Sequence, residues 1–288
     1  MNYSISIKDD CCIRCRRCEK ACPAGIFAWN EGNMLVQKEQ FCIGCGHCAA
    51  ICPSHAVVHT LFPPDTVHEY AAGDLPTPEQ VELLLKSRRS NRSFTSKSIP
   101  EDILLRIIDA AYAAPTAQNI RSVQVVAVTD PVMLYTISAL TVDSFAKAAK
   151  KLENPFIKLL LHRQMASVYA MIPKFKAMHR KLHDGKGDPV LHRARAVLFF
   201  CAPPDSRFGY ADCNLAYQNA SLMAESLGVS QFYTGFVLSG MKQDKKNQLI
   251  KTLNLTDVKI FAGMALGMPS FRFERYTDRA HSKPIIIK

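Results

Sequence analysis

Nine of the eleven cysteines lie between Cys11 and Cys52, and eight of these form a repeat. Cys12-Ile-Arg-Cys15-Arg-Arg-Cys18-Glu-Lys-Ala-Cys22-Pro23 is followed by Cys42-Ile-Gly-Cys45-Gly-His-Cys48-Ala-Ala-Ile-Cys52-Pro53, each cysteine and the proline recurring thirty positions on. Both halves fit C-x2-C-x2-C-x3-C-P, a spacing that suits cubane [4Fe–4S] clusters. Thiolates at i, i+3 and i+6 wrap one corner of a cubane when the chain curls tightly. The fourth lies beyond a short helical turn and points away, so it serves the other cluster. The proline after it restricts the backbone and leads the chain out of the loop. The expected sets are therefore Cys12, Cys15, Cys18 and Cys52 for one cluster, and Cys22, Cys42, Cys45 and Cys48 for the other. Two zinc sites are the alternative, because paired C-x2-C units suit tetrahedral zinc. Such sites separate their pairs by a longer stretch and need neither a third close thiolate nor C-P. Cys11 reads as an incidental neighbour, and His47 as a support for a ligand rather than a ligand.

Between the two halves, Ala28 to Val36 reads as two short strands around a glycine-containing turn. With the cysteine spacing, this resembles the dicluster ferredoxin fold of bacteria over residues 1–60. A domain of that size has little core, so the resemblance implies that two [4Fe–4S] clusters hold it together.

The 288 residues allow about two domains at roughly 150 residues each. Hydrophobic residues at 48% and charged residues at 21% exclude a disordered chain. There is no apolar run of the roughly 20 residues that a membrane-spanning helix needs. The N-terminus has no basic segment followed by an apolar one, so the expectation is a cytoplasmic protein with no membrane attachment and no disulfides. The net charge of +11 is uneven, since residues 1–66 carry six Lys/Arg against six acids. Most of the excess lies between Lys147 and Arg195, where twelve Lys/Arg face only Glu153, Asp184 and Asp188. This stretch reads either as a solvated helical face or as a docking surface for an acidic partner. No nucleic-acid-binding motif accompanies the charge.

Residues 61–78 contain four prolines and no clear period, as a linker does. From 79 to 288 the pattern is mixed. Glu79–Lys86 reads as a short helix. Ser98-Ile-Pro-Glu101 reads as a capping box opening a helix whose apolar face is Ile103, Leu104, Ile107, Ile108 and Ala111. Val123–Val128 reads as a buried strand, and Val197–Phe200 and Val258–Leu266 as further strands. Asp212–Leu227 reads as a helix stopped by Gly228. A helical, basic insertion occupies about 147–195, with Pro155 at a first helical position and an apolar stripe from Phe156, Leu159 and Leu160 to Val168, Met171, Ile172 and Phe175. Its histidines, His162, His179, His183 and His192, are read as sharing no ligand spacing, so no metal is expected there.

Directly after the first of these helices come Arg88, Arg89, Ser90 and Arg92, whose guanidinium and hydroxyl groups suit a phosphate and a sugar chain. Some twenty residues on, Ala113-Ala114-Pro115-Thr116-Ala117-Gln118-Asn119 lies between a helix and a strand. The combined pattern, RRSxRxF then A-A-P-[ST]-x-x-N, resembles the FMN-dependent nitroreductase family, from about Pro78 to the C-terminus. The resemblance implies an α+β FMN-binding domain following the ferredoxin-like one. Arg88, Arg89, Ser90 and Arg92 would then hold the FMN phosphate and ribityl chain. Asn119 would lie by the isoalloxazine, with Pro115 and Thr116 shaping the turn. Tyr233, Thr234 and Gly235 match the family's segment along the flavin. In the basic segment after Ala265-Leu-Gly267-Met-Pro269, Arg279 matches best for the phosphate and Arg275 next. Where many members have Gln-Pro-Trp after the asparagine, this chain has Arg121-Ser122-Val123.

Clusters pass electrons singly, whereas nitroaromatics and quinones take them in pairs, and FMN does both. The expected protein is thus an oxidoreductase, homodimeric as in the family. It would pass electrons from a low-potential donor such as reduced ferredoxin or flavodoxin through two [4Fe–4S] clusters to FMN and a small-molecule acceptor. No acid–base side chain is evident. The alternatives are NAD(P)H-dependent FMN reduction with auxiliary clusters, or an electron carrier or redox sensor without a dedicated substrate.

Overall fold

The computed structural model describes residues 3–287 and divides them into two compact units. The first runs to Thr77 and also takes in Ala117–Ile120; the second is Pro78–Thr116 with the chain from Arg121 onward.

In the first unit, strand β1 (Ile5–Ile7) pairs antiparallel with β4 (Val57–His59), and β2 (Phe27–Asn30) with β3 (Asn33–Val36). Glu31 and Gly32 turn the β2–β3 hairpin with φ of 45° and 84°, the pair of positive φ values that matches strand twist. Helices α1 (Arg17–Ala21) and α2 (His47–Ile51) each follow a cysteine loop. The core is small: Ile5, Ile26, Phe27, Met34 and Cys48. Residues 61–77, expected as a linker, contain two short 3-10 turns and belong to this unit.

The second unit opens with α3 (Pro78–Ser87) and α4 (Glu101–Tyr112). Strand β5 (Gln124–Val128) leads to the helical stretch α5 (Pro131–Leu152), α6 (Pro155–Leu161) and α7 (Ala166–His183). There follow β6 (Ala196–Ala202), α8 (Gly209–Ser226), β7 (Ser230–Tyr233), α9 (Gly235–Gln243), α10 (Gln248–Thr252) and β8 (Lys259–Gly267). The sheet is antiparallel in the order β5-β6-β8-β7. Strand β6 is buried on both faces, which explains its unbroken apolar run AVLFFCA. Val197, Phe199 and Cys201 join one core with α5, α7 and α9, while Leu198 and Phe200 join the other with α4 and α8. Ala216, Ala220 and Ala224 allow α8 to approach the sheet closely.

Four readings are corrected. Ser98 caps nothing: α4 starts at Glu101 with Pro100 in the cap position and no side-chain cap, because the proline already fixes the entry of the chain. Strand β5 is an edge strand whose only buried residue is Val128. The apolar stripe of the insertion divides. Ile172, Met178 and Leu182 of α7 are buried, but Phe156, Leu159 and Leu160 of α6 are 79%, 84% and 74% exposed. Finally, His179 and His183 converge with Asp143, although no shared ligand spacing was expected there.

Candidate functional site

The two cysteine loops fold with the same backbone handedness. Arg14, Arg16 and Gly25 have φ of 57°, 59° and 60°; thirty positions later Gly44, Gly46 and His55 have 60°, 76° and 51°. Left-handed residues curl each loop tightly enough for three thiols to face one point. Arg14 and Arg16 accept that conformation at a cost of roughly 1–2 kcal/mol each. The fourth cysteine of each half, Cys22 or Cys52, is the C-cap of its short helix, with extended backbone, and leaves its own loop.

The outcome is two cavities with exchanged fourth cysteines. One is lined by Cys12, Cys15, Cys18 and Cys52, with Met34, Ala56 and Val57. The other is lined by Cys22, Cys42, Cys45 and Cys48, with Ile26, His47 and His59. Burial pushes the Cys48 thiol up to about 11, and the charges of Cys42, Cys45 and Cys22 add to this. Burial also raises Cys18, with Cys52 and Cys12 contributing. Cys52 goes the other way: burial opposes ionisation, and N–H groups of Val57, Ser54 and Ala56 outweigh it. In each set one thiol, Cys18 or Cys48, is held back from ionising by burial and by its neighbours' charge, which suits a cationic centre bound among them.

Sequence reasoning missed His59. It is 2% exposed, packed between the rings of Tyr3 and Phe62, both 5.0 Å away. Its Nδ1 accepts the Leu61 N–H at 3.2 Å, so the ring proton sits on Nε2, 3.7 Å from Cys42 Sγ. Gly44 N–H also donates to this sulfur at 3.4 Å. Asn119 belongs to the same unit, where its Nδ2 donates to the Ile43 and Gly44 carbonyls at 3.0 and 2.9 Å. The asparagine thus braces the Cys42 loop.

In the second unit the Arg88–Arg92 segment lies along β7. Ser90 bridges Gln231, the Arg92 guanidinium sits 5.0 Å over the Phe232 ring, and Arg89 Nη1 donates to the Lys86 carbonyl at 2.7 Å. This brings the segment to the strand that carries Tyr233 and leads into Thr234 and Gly235. Asn91 is the buried anchor, donating to Ser230 Oγ at 3.1 Å and to the Phe271 carbonyl at 3.0 Å. Burial raises Glu225 despite the Arg89 N–H and the Arg88, Arg272 and Arg89 charges, so three guanidinium groups bear on one carboxyl. Arg88, Arg89 and Arg92 form no ion pair among the described residues. A cavity is lined by Arg89, Asn91, Glu225, Ser230 and Arg272.

Two side-chain atoms at β7 and its turn into α9 lack partners, although the Thr234 N–H donates to the Gly263 carbonyl at 2.9 Å. Gln231 Nε2 and Thr234 Oγ1 are buried without a hydrogen bond among the described residues, although Gln231 Oε1 accepts from Tyr217 at 2.8 Å. Thr234 is the N-cap of α9 with no side-chain cap bond. Above Gly235 the space is open, since a Cβ there would meet only Tyr233, 3.9 Å away. Pro115 is exposed and Thr116 accepts the Arg121 N–H at 3.0 Å, closing the loop after α4. Arg275 and Arg279 are exposed on the tail; the tail arginine that shares a cavity with Arg89 is Arg272, whose guanidinium lies against Gly228. Orphaned polar atoms, guanidinium groups and an uncapped helix end beside an open glycine fit a phosphate-bearing, hydrogen-bonding ligand.

A family model described as the nitroreductase family matches residues 85–268, well over half of the chain. The chain belongs to the nitroreductase family. A second model, a 4Fe-4S dicluster domain, matches residues 11–57. The FMN reductase (NADPH) of Bacillus subtilis is 24% identical over 192 residues, covering 66% of each chain, just under two thirds of that relative's length. Among solved structures, a nitroreductase with bound FMN from Bacteroides fragilis is 21% identical with a TM-score of 0.55, covering 72% of this chain and 98% of its own. One from Desulfitobacterium hafniense, also with bound FMN, is 17% identical with a TM-score of 0.52, covering 73% and 96%. These likenesses establish the α+β fold of the second unit. Among the described residues no helix is long and apolar enough to cross a membrane.

Proposed function

We propose that this nitroreductase-family chain is an iron–sulfur flavoprotein oxidoreductase. It would carry electrons from a low-potential donor through two [4Fe–4S] clusters to FMN and on to a nitroaromatic, quinone or similar two-electron acceptor. The observation that carries this is the pair of crossed four-cysteine cavities in the same chain as a nitroreductase domain. When bound, the clusters supply one-electron steps and FMN converts single electrons into pairs.

The chain's own residues would act by holding and orienting. Cys12, Cys15, Cys18 and Cys52 would ligate one cluster, and Cys22, Cys42, Cys45 and Cys48 the other. Arg88, Arg89, Ser90 and Arg92 would hold the phosphate and ribityl chain, with Arg275 and Arg279 of the tail closing on the phosphate. Pro115, Thr116, Tyr233, Thr234 and Gly235 would shape the ring site. The unpaired N–H groups of the first turn of α9 would place fixed dipoles where the ring gains charge, with no side chain having to reorganise. A homodimer agrees with the exposed apolar tail, where Ile285, Ile286 and Ile287 are 92%, 73% and 93% exposed.

Of the twelve basic residues from Lys147 to Arg195, eleven are exposed, which favours an acidic donor such as ferredoxin or flavodoxin in the cytoplasm. A second reading, direct reduction by NADPH, rests on the likeness to the FMN reductase of Bacillus subtilis. Anaerobically purified protein should contain about eight irons per chain, from two four-iron clusters, and one FMN. Reduced ferredoxin should reduce the flavin in stopped-flow, less well as salt rises. Zinc in place of iron would overturn the cluster assignment. Fast reduction by NADPH in a Cys42→Ala variant would favour the second reading.

A further inference from the structure

We propose that Asp143, His179 and His183 form a surface site for one divalent late transition-metal ion, which clamps α5 to α7. His179 and His183 are one helical turn apart, so both rings leave the same face of α7. Asp143, on α5, meets them across the helix pair. Its Oδ1 lies 3.2 Å from His179 Nε2 and 2.9 Å from His183 Nε2, and all three atoms fall within 4.8 Å of one another. An ion about 2.1 Å from each ligand atom would subtend angles of about 90–100° between the carboxylate oxygen and each nitrogen, as one face of a metal's coordination shell requires. The rings are close neighbours, with centroids 4.4 Å apart.

The site is held in place without the ion. Phe145 of α5 stacks on Phe175 of α7 at 4.6 Å, and the Tyr169 hydroxyl donates to the Leu152 carbonyl at 2.9 Å. Lys176, on the same helix as the histidines, is drawn aside to Glu153 at 2.6 Å. Side-chain exposures of 39%, 39% and 35% leave an entry path and room for water on the open coordination positions. Two imidazoles and a carboxylate select zinc, nickel, cobalt or copper rather than magnesium or calcium, which need a shell of oxygens. On binding, each ring presents its Nε2 lone pair to the ion and carries its proton on Nδ1.

The probe is Zn2+, in anaerobic equilibrium dialysis of the full-length holoprotein after a chelator wash, with zinc and iron counted in the same sample. Wild type should retain one zinc per chain more than His179→Gln/His183→Gln, with equal iron in both. Asp143→Asn should weaken that zinc by about tenfold or more. The melting temperature should rise with Zn2+ in wild type and not in the double variant. Equal zinc in wild type and the double variant would overturn the proposal, as would an Asp143→Asn variant that binds like wild type. All three residues are at least one-third exposed, so the variants should fold. If the double variant does not, the single His183→Gln carries the same expectations.

Discussion

His59 offers a measurable handle on one cysteine set alone. Its Nε2–H points at Cys42 Sγ, and no histidine lines the cavity of Cys12, Cys15, Cys18 and Cys52, where the side-chain contact to a sulfur is that of Ser54 Oγ with Cys52 Sγ at 3.8 Å. Replacing it as His59→Phe keeps a ring between Tyr3 and Phe62 but removes the donor. A hydrogen bond to a charged acceptor contributes about 1.5–3 kcal/mol. At 3.7 Å this N–H···S bond is long, and only the part that strengthens on reduction affects a potential, so we take about 1 kcal/mol. A tenfold change, or about 1.4 kcal/mol, corresponds to about 59 mV for one electron, so the midpoint should fall by about 40 mV. Potentiometric titration followed by electron paramagnetic resonance would read it. One cluster should shift while the other stays put. Equal shifts in both, or none in either, would refute the reasoning. The Leu61 N–H also loses its acceptor, a stability loss of about 1–3 kcal/mol that thermal denaturation reads separately.

Three further outcomes are expected. A thiol-alkylating reagent should label only Cys11 in the anaerobic holoprotein, by peptide mass: the eight cavity cysteines would be ligated, and Cys201 and Cys213 are 0% exposed and pushed by burial to about 12. Gly228→Ala should cost about 1–2 kcal/mol for its left-handed backbone alone. It should also lower FMN affinity in a flavin titration, because its Cβ would fall 2.2 Å from Arg272 Nη2 and drive that guanidinium off. Burial lowers the pKa of His192, aided by Arg92 and Lys181 against Asp188, so the folded protein binds fewer protons than the unfolded chain just below the ordinary histidine value of 6.5. Its contribution to stability should therefore fall as pH drops from 6.5 towards the depressed value, and urea titrations of His192→Gln should show a shallower slope in that window.

The cysteine framework was legible because ligand spacing is a local property. Three thiols within seven residues and a fourth beyond one helical turn fix which sulfurs can share a centre before any tertiary contact forms. The arginine–serine segment and the Thr234–Gly235 turn were read through the family resemblance rather than from local spacing, and the long-range bridge from Ser90 to Gln231 is what joins the segment to β7. What stayed hidden depends on long-range packing. Nothing local in Asn119 announces that its amide reaches the Ile43 and Gly44 carbonyls, seventy-six and seventy-five residues away. Asp143 and His183 are likewise forty residues apart and meet only because α5 and α7 pack. Ser98 misled in the opposite sense: a capping pattern is satisfied by composition, but the chain was already committed by Pro100.

The repeat itself shows where the physics is strict and where it is permissive. Positions 14 and 44, and 16 and 46, share left-handed backbone, yet one half uses arginine and the other glycine. In the second half a side chain would be crowded as well as left-handed. A Cβ on Gly44 would lie 3.0 Å from the Leu61 side chain, and one on Gly46 3.2 Å from that of Phe62, so each neighbour would have to give by a few tenths of an ångström. In the first half Arg16 ion-pairs with Glu19 at 2.7 Å and stacks over Trp29 at 5.4 Å. The two cavities therefore share a backbone but differ in field: Arg14, Arg16 and Arg17 line one, while His47 and His59 line the other. Because cluster potentials follow nearby charge and hydrogen bonds to sulfur, two sites built on one template need not be equivalent electron stations.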